Sequence, residues 1–436
     1  MSRKMHLGLM GGVVGSGWRL PEARIGTLDF SMVHRVVTTA ERGKFDLVFF
    51  ADAVNSGADA SPGTVMRFEP LSLISALAVT TSHIGLVATV STTYSEPYNI
   101  ARAFASIDYL SGGRVGWNVV TGSSPDAAAN FGSMPHPPHA QRYEIAAEYV
   151  EVAKGLWDSW EDGALVLDKK SGEFFDRTKL HELNHAGPHF SVKGPLNIAR
   201  PPQGYPVMFQ AGASDQGIDF AARTADAIFA AQHDLDEAVA FANRLRDRVQ
   251  AVGRPRDAVK VLLGVSIVMG ETREAARKTI AEIAAMADMP STIRSFADRV
   301  GYDINTLDLD GPLPDYPPSS SAMLGHAKVL RSMAERNHLT VRDLRDMLAV
   351  SSHRLLSGTA QDIADDMECW FKAGAADGFV IMLPYAPEPL DKFVDEVVPI
   401  LVARGLFRQD YEGRTLREHL GLARPGHPAS AAQAAE

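Results

Sequence analysis

The sequence predicts an α/β fold, a TIM-like (β/α)8 barrel with insertions, on three observations. Short apolar, β-branched runs alternate with longer stretches of helical periodicity, the pattern of parallel βα units. Eight such units can be counted, a number that favours closure into a barrel over an open sheet. The strand candidates are nearly continuous in hydrophobicity, as expected when both faces are covered.

In chain order the expected strands are His6 to Met10, Leu47 to Asp52, Ile84 to Val90, Arg114 to Val120, Pro206 to Ala213, Asp226 to Gln232, Val259 to Met269 and Gly378 to Pro384. Two stretches break the spacing. Residues 161–204, rich in Gly, Pro, His and Asn, read as an excursion over the barrel mouth. Residues 287–357 read as a larger insertion, in which Pro312 to Ala322 has the Pro and Ser content of a mobile cover. On this division residues 1–424 are a single barrel with insertions, and 425–436 are a disordered tail.

With 436 residues, 45% hydrophobic and 22% charged, the chain can bury a large core. A net charge of -10 argues against nucleic acid, because phosphate backbones are bound through clustered Lys and Arg. The single cysteine, Cys369, cannot form an internal disulfide, which fits a reducing compartment. The apolar stretch before Gly11 is too short for a secretory signal, and no apolar run has the length of a membrane span. The expectation is a cytoplasmic protein without a membrane partner.

In such a barrel the chemistry sits at the carboxyl ends of the strands. Those ends are polar here but lack the carboxylate and histidine clusters of metal hydrolases, so no metal is expected. The Gly11 to Gly17 cluster, GGVVGSG, has neither the order of the dinucleotide fingerprint nor the lysine of a Walker loop. It reads as a flexible loop from which Trp18 can fold over a cleft. In QAGASDQG, Gln210 to Gly217, Ser214 stands at a helix start, where free N–H groups attract phosphate. An ordinary Ser cap explains the same residues equally well, and Asp215 opposes an anion. Asn118 and Thr121 in WNVVTG offer donors and acceptors suited to the edge of a planar heterocycle. Asp52 and Thr89 add polar groups on neighbouring strands, with backbone support as the default role of a buried Asp. His139, Arg142 and Tyr143 open the helix after the fourth strand and can reach a ligand at the mouth. His181, His185 and His189 read as solvated loop residues.

Taken in order, GWRLPEA, GKFDLVFFAD, VSTTYSEPYNIAR, GGRVGWNVVTG, RYEIAAEYVEV, QAGASDQG, GTAQDIADDMECWFKAGAADGF and VVPILVARGLFRQDYEGRTLREHLGLARP resemble the bacterial-luciferase-like flavin monooxygenases. The nearest branch is that of the nitrilotriacetate, EDTA, dibenzothiophene-sulfone and long-chain-alkane monooxygenases. The resemblance implies the oxygenase component of a two-component system, using reduced, noncovalent FMN and O2 on a small organic substrate. A separate NAD(P)H:FMN reductase supplies the flavin, and the oxygenase is a homodimer or tetramer. By that likeness Asp52, Thr89, Asn118, Val120, Thr121 and Gly122 line the flavin ring and ribityl chain. Tyr143, Ala213 and Ser214 hold the phosphate, His139 lies on the flavin side, and Trp18 and Tyr94 on the substrate side. Some relatives with alkane substrates carry a histidine in the loop after strand one; Met10 to Trp18 has none, so no catalytic proton carrier is nominated. Two alternatives stand beside this reading: a deazaflavin (F420) dependent dehydrogenase on the same barrel, and a flavin-binding protein without oxygenase activity.

Overall fold

The computed structural model describes residues 3–12, 16–24, 26–56, 66–122, 125–132, 135–212, 214–287, 292–293, 296–297, 300, 302–314, 330–331, 334–335, 339–351 and 353–429. Eight parallel strands form the barrel: β1 (His6–Met10), β2 (Leu47–Phe50), β3 (Gly85–Ser91), β4 (Val115–Val120), β9 (Val207–Ala211), β10 (Ala227–Ala230), β11 (Lys260–Met269) and β13 (Gly378–Met382). Around the ring they run β10, β9, β4, β3, β2, β1, β13, β11, and the β10–β11 pairing closes it. The continuous apolar runs follow from this closure. Val261, Leu263, Val265 and Ile267 of β11 pack outward against the helices, while Leu262 joins Leu47, Phe49, Val87, Phe209 and Val380 inside the barrel.

The helices that cover the barrel and matter for the site are α1 (Phe30–Arg42), α2 (Pro70–Ala78), α3 (Pro97–Ser111), α4 (His139–Trp157), α5 (Asp215–Thr224), α6 (Leu235–Ala251), α7 (Arg273–Ala285), α8 (Val341–Val350) and α9 (Ala360–Lys372). Their starts are set by side chains that satisfy the first free N–H groups: Asp29, Glu69, Ser214, Asp234, Thr272, Thr340 and Thr359 all cap in this way. The amino-terminal end of the barrel is stoppered by Leu416 and Leu420, which pack on Leu47, Val87 and Val380.

Both stretches read as insertions depart from expectation. Residues 161–204 hold two small hairpins, β5 (Leu165–Asp168) with β6 (Glu173–Phe175) and β7 (His185–Ala186) with β8 (Ser191–Val192). They are tied to the flank of α3 and α4: Glu148 accepts from the backbone N–H groups of His189 and Phe190, and Tyr109 donates to the Arg200 carbonyl. The excursion therefore lies along the barrel side and not across its mouth. The second stretch ends in a strand that sequence reading missed, β12 (Arg354–Gly358), which pairs with the second half of β11. It occupies the edge that β10 vacates, since Val265 and Ser266 still pair with β13 on their other side. The rest of this stretch has a small core of its own, with Phe296, Val300, Ile304, Leu330, Val341 and Leu344 buried together. Within Pro312 to Ala322, residues 315–322 lie outside the described residues; Pro312 bridges to Thr340. The tail expected to be disordered from residue 425 is anchored at its start, because Arg200 donates to the carbonyls of Pro425 and Gly426 and His427 is buried.

Candidate active site

At the amino-terminal end the inward-facing side chains are fully enclosed, whereas Met10, Val120, Phe229 and Met382, nearer the carboxyl ends, are partly accessible. The barrel thus opens into a mouth at the end where βα loops gather. On its wall Asn118 of β4 sits in register with Thr89 of β3 and Phe209 of β9, so their side chains share the interior face. Asn118 Nδ2 donates to Thr89 Oγ1 at 2.9 Å, and both side chains are buried. Among the described residues Asn118 Oδ1 is buried without a hydrogen-bond partner. An orphaned acceptor costs about 1–3 kcal/mol unless something donates to it, so it marks a place built to meet a ligand.

A second polar group collects outside the strand ends, between β9 and the starts of α4 and α5. Ser214 caps α5, its Oγ accepting from the Gly217 N–H at 3.1 Å, which leaves its own proton free to donate. A Cβ at Gly217 would lie 3.1 Å from the Tyr143 hydroxyl and 3.2 Å from Ser214 Oγ. A Cβ at Gly212 would lie 2.9 Å from Gln210 Nε2 and 3.4 Å from the same hydroxyl. Two glycines therefore keep open a cradle lined by Tyr143, Ser214 and Gln210 at a helix N-terminus, where backbone dipoles favour an anion. Gln210 Oε1 is buried without a partner among the described residues. His139 stands over the same cradle, its ring 5.1 Å from that of Tyr143. Ala213 lies outside the described residues.

The remaining sequence-derived residues fall around this mouth. Val120 faces inward at the end of β4, and the Thr121 carbonyl accepts from Thr93 Oγ1 at 2.8 Å. Gly122 has a φ of 67°, a left-handed backbone that favours glycine, and it lies beside the Tyr94 ring, which a Cβ there would meet at 3.4 Å, an ordinary contact. Asp52 lies in the loop after β2, half-buried, its carboxyl pushed above the usual range by desolvation despite the Ala53 N–H and Arg67. Trp18, 39% exposed, lies on a short helical turn, Ser16–Arg19. That turn is pinned on both sides: a Cβ at Gly17 would be 2.5 Å from the Pro384 carbonyl oxygen, and Arg19 donates to the Met286 carbonyl at 2.8 Å.

Sequence reading missed three features. The Tyr94 hydroxyl lies 2.6 Å from His136 Nδ1, and Arg142 donates to His136 Nε2, so the three form a chain at the mouth. Desolvation, aided by Arg142, lowers the pKa of His136 and favours its neutral form. Gln210 could have been noticed as the one polar residue in the apolar run VMFQA. His353, on the barrel interior, was hidden inside the supposed insertion. Among the described residues no group of His, Cys, Asp and Glu could hold a metal ion, and no helix is long and apolar enough to cross a membrane.

Comparison with known proteins gives a consistent set of likenesses. The profile of the luciferase-like monooxygenase family matches residues 7–377. N-acetyl-S-(2-succino)cysteine monooxygenase of Bacillus subtilis (strain 168) is 44% identical, covering 97% of this chain and 98% of the relative. Nitrilotriacetate monooxygenase component A of Aminobacter aminovorans is 42% identical, over 97% of this chain and 98% of the relative. The crystal structure of DmoA from Hyphomicrobium sulfonivorans superposes with a TM-score of 0.86 at 32% identity, covering 98% of this chain and 95% of that one. An F420-dependent secondary alcohol dehydrogenase has a TM-score of 0.58 at 13% identity, a likeness of fold alone.

Proposed function

Because the chain belongs to the luciferase-like monooxygenase family, we propose that its barrel mouth binds reduced FMN noncovalently, as the oxygenase of a two-component system. One observation carries the cofactor assignment: the open cradle of Tyr143, Ser214 and Gln210 stands at the same mouth as the orphaned acceptor of Asn118. The cradle suits a phosphate, and Asn118 with Thr89 suits the N–H and carbonyl edge of a flavin ring. Bound there, reduced FMN supplies the two electrons with which one atom of O2 enters a small organic substrate and the other leaves as water. The protein's part is to position and to keep water out. Gly122 and Tyr94 shape the wall beside the ring, and the pinned Ser16–Arg19 turn narrows the mouth from the opposite side.

The chain has no dinucleotide-binding fingerprint, and a relative is named as one component of a system. Both support supply of reduced FMN by a separate NAD(P)H:FMN reductase. The F420 alternative loses ground because its likeness is limited to fold. A cytoplasmic setting and a homodimer or tetramer remain part of this proposal. The test mixes the protein with FMN, NADH, O2 and a substrate panel containing N-acetyl-S-(2-succino)cysteine and nitrilotriacetate. NADH oxidation should begin only when an unrelated flavin reductase is added, and oxidised product should then form. Substantial NADH oxidation by the protein alone would overturn the two-component reading; peroxide without oxidised product from any panel compound would favour a flavin-binding protein.

A further inference from the structure

Among the described residues, Arg142 is a buried cation without a counter-ion. It stands in the first turn of α4, 7% exposed, and its guanidinium makes one hydrogen bond there, from Nη1 to His136 Nε2. Its Nε is buried without an acceptor, and no described carboxylate pairs with it. A charge held in this way costs free energy until an anion reaches it. The next residue on the helix, Tyr143, turns toward Gly212 and Gly217, whereas Arg142 turns toward His136 and the loop after β3. The guanidinium therefore serves a different side of the mouth from the phosphate cradle.

The hydrogen bond to His136 fixes more than the place of its ring. A guanidinium only donates, so His136 Nε2 accepts and carries no proton. Desolvation, aided by Arg142, favours the neutral imidazole, whose one proton is then on Nδ1. That N–H donates to Tyr94 Oη at 2.6 Å. The phenol oxygen is thereby an acceptor toward His136, its own proton is turned elsewhere, and no described residue takes it. The order of the three residues thus leaves one free donor at the far end of the chain. Tyr94 is held in place, its ring stacked 4.7 Å from that of Phe131 and the neighbouring Thr93 tied to the Thr121 carbonyl.

Thr89 and Asn118 are in register on β3 and β4. Tyr94 follows β3, and its ring lies against Gly122, which follows β4. The phenol stands on the same two strands as the pair assigned to the flavin ring, farther out toward solvent, and it is half-buried there. We propose that Tyr94 donates a hydrogen bond to a carboxylate of the substrate, with Arg142 supplying the positive charge behind it. His136 is a positioning residue that sets the direction of the chain. The substrate is then a small organic acid, and a neutral compound leaves the guanidinium uncompensated. This rests on the assignment of Thr89 and Asn118 to the flavin ring, since that assignment leaves the outer layer of the mouth for the substrate.

The test uses nitrilotriacetate, N-acetyl-S-(2-succino)cysteine and the trimethyl ester of each, titrated calorimetrically into the anaerobic protein loaded with reduced FMN. Wild type should bind at least one acid about tenfold or more tighter than its ester, and Y94F and R142M should each lose about tenfold or more for that acid. H136Q, whose amide can accept at one end and donate at the other, should stay within about threefold of wild type, while H136L falls as far as Y94F. If His136 acts through Tyr94, the Y94F/H136L double variant should bind the acid within about twofold of Y94F alone. Nitrogen NMR of His136, identified by the loss of its signals in H136Q, should show the proton on Nδ1. Affinities for FMN and riboflavin should remain within about twofold in all variants, which also reports that they fold. A proton on Nε2, additive losses in the double variant, failure of both acids to bind, or equal affinity for acids and esters would overturn the proposal. A loss in R142M for FMN but not riboflavin would give the guanidinium to the phosphate and overturn it as well. A wild type that binds no FMN when titrated with flavin alone would instead overturn the cofactor assignment, and the proposal with it.

Discussion

Replacing Tyr143 by Phe removes one hydroxyl and leaves the ring that packs 5.8 Å from Phe220 and 5.1 Å from His139. The hydroxyl borders the positions that Gly212 and Gly217 keep open, so it is aimed at whatever occupies the cradle. A hydrogen bond to a charged group contributes about 1.5–3 kcal/mol, and each 1.4 kcal/mol is about tenfold in affinity. The dissociation constant for FMN should thus rise by roughly 10- to 150-fold. Riboflavin carries the same ring and no phosphate, and its affinity should change by less than about twofold if the hydroxyl meets only phosphate. The assay is anaerobic equilibrium dialysis with reduced FMN and reduced riboflavin, run in parallel on wild type and variant. Ser214→Ala should show the same selectivity, with an added loss of about 1 kcal/mol in stability from the missing helix cap. Equal losses for the two flavins, or no loss for FMN, would refute the placement of the phosphate between α4 and α5.

Other consequences separate ring from phosphate and site from scaffold. Asn118→Leu removes the Thr89 hydrogen bond and the orphaned acceptor together; it should weaken FMN and riboflavin binding by similar factors, about tenfold or more, in the same dialysis. His419, buried beside the Arg408–Asp46 pair under the barrel, has its pKa pushed down to about 4 chiefly by desolvation, so the folded protein holds it neutral while the unfolded chain protonates it near 6.5. Stability should fall as pH drops from about 6.5 to 4, by roughly 1 kcal/mol at pH 5.5 relative to neutral pH. Denaturant titrations of wild type and His419→Gln at both pH values should show most of that slope vanish in the variant; an unchanged slope would assign acid sensitivity elsewhere.

The eight barrel strands were legible because each is a compact apolar run enclosed on both faces, and this signal does not depend on what the strand pairs with. RLLSG at 354–358 carried no comparable signal. It becomes a strand only because β11 outruns β10 and leaves an edge to fill, a fact of tertiary register. The same limit governed the site. Asn118, Tyr143 and Ser214 could be singled out from strand ends and a helix start, where local sequence fixes direction. Arg142 could be placed at the mouth from its helix start, but nothing local linked it to His136 or linked His136 to Tyr94, so the Tyr94–His136–Arg142 chain itself was illegible. His353 had an indirect signal in Gly264, since a glycine within KVLLGVSIVM announces a close approach without saying by what. The position of residues 161–204 on the barrel flank was also illegible, because composition identifies a loop and not the surface it lies on.

The most direct test of the oxygenase assignment is isotopic. The protein is mixed with photochemically reduced FMN, a substrate from the panel and 18O2, without any nicotinamide or reductase. The product should carry one atom of 18O per molecule, formed in a single turnover of the flavin supplied. Product that draws its oxygen from water, or that forms only when a nicotinamide is present, would contradict the account.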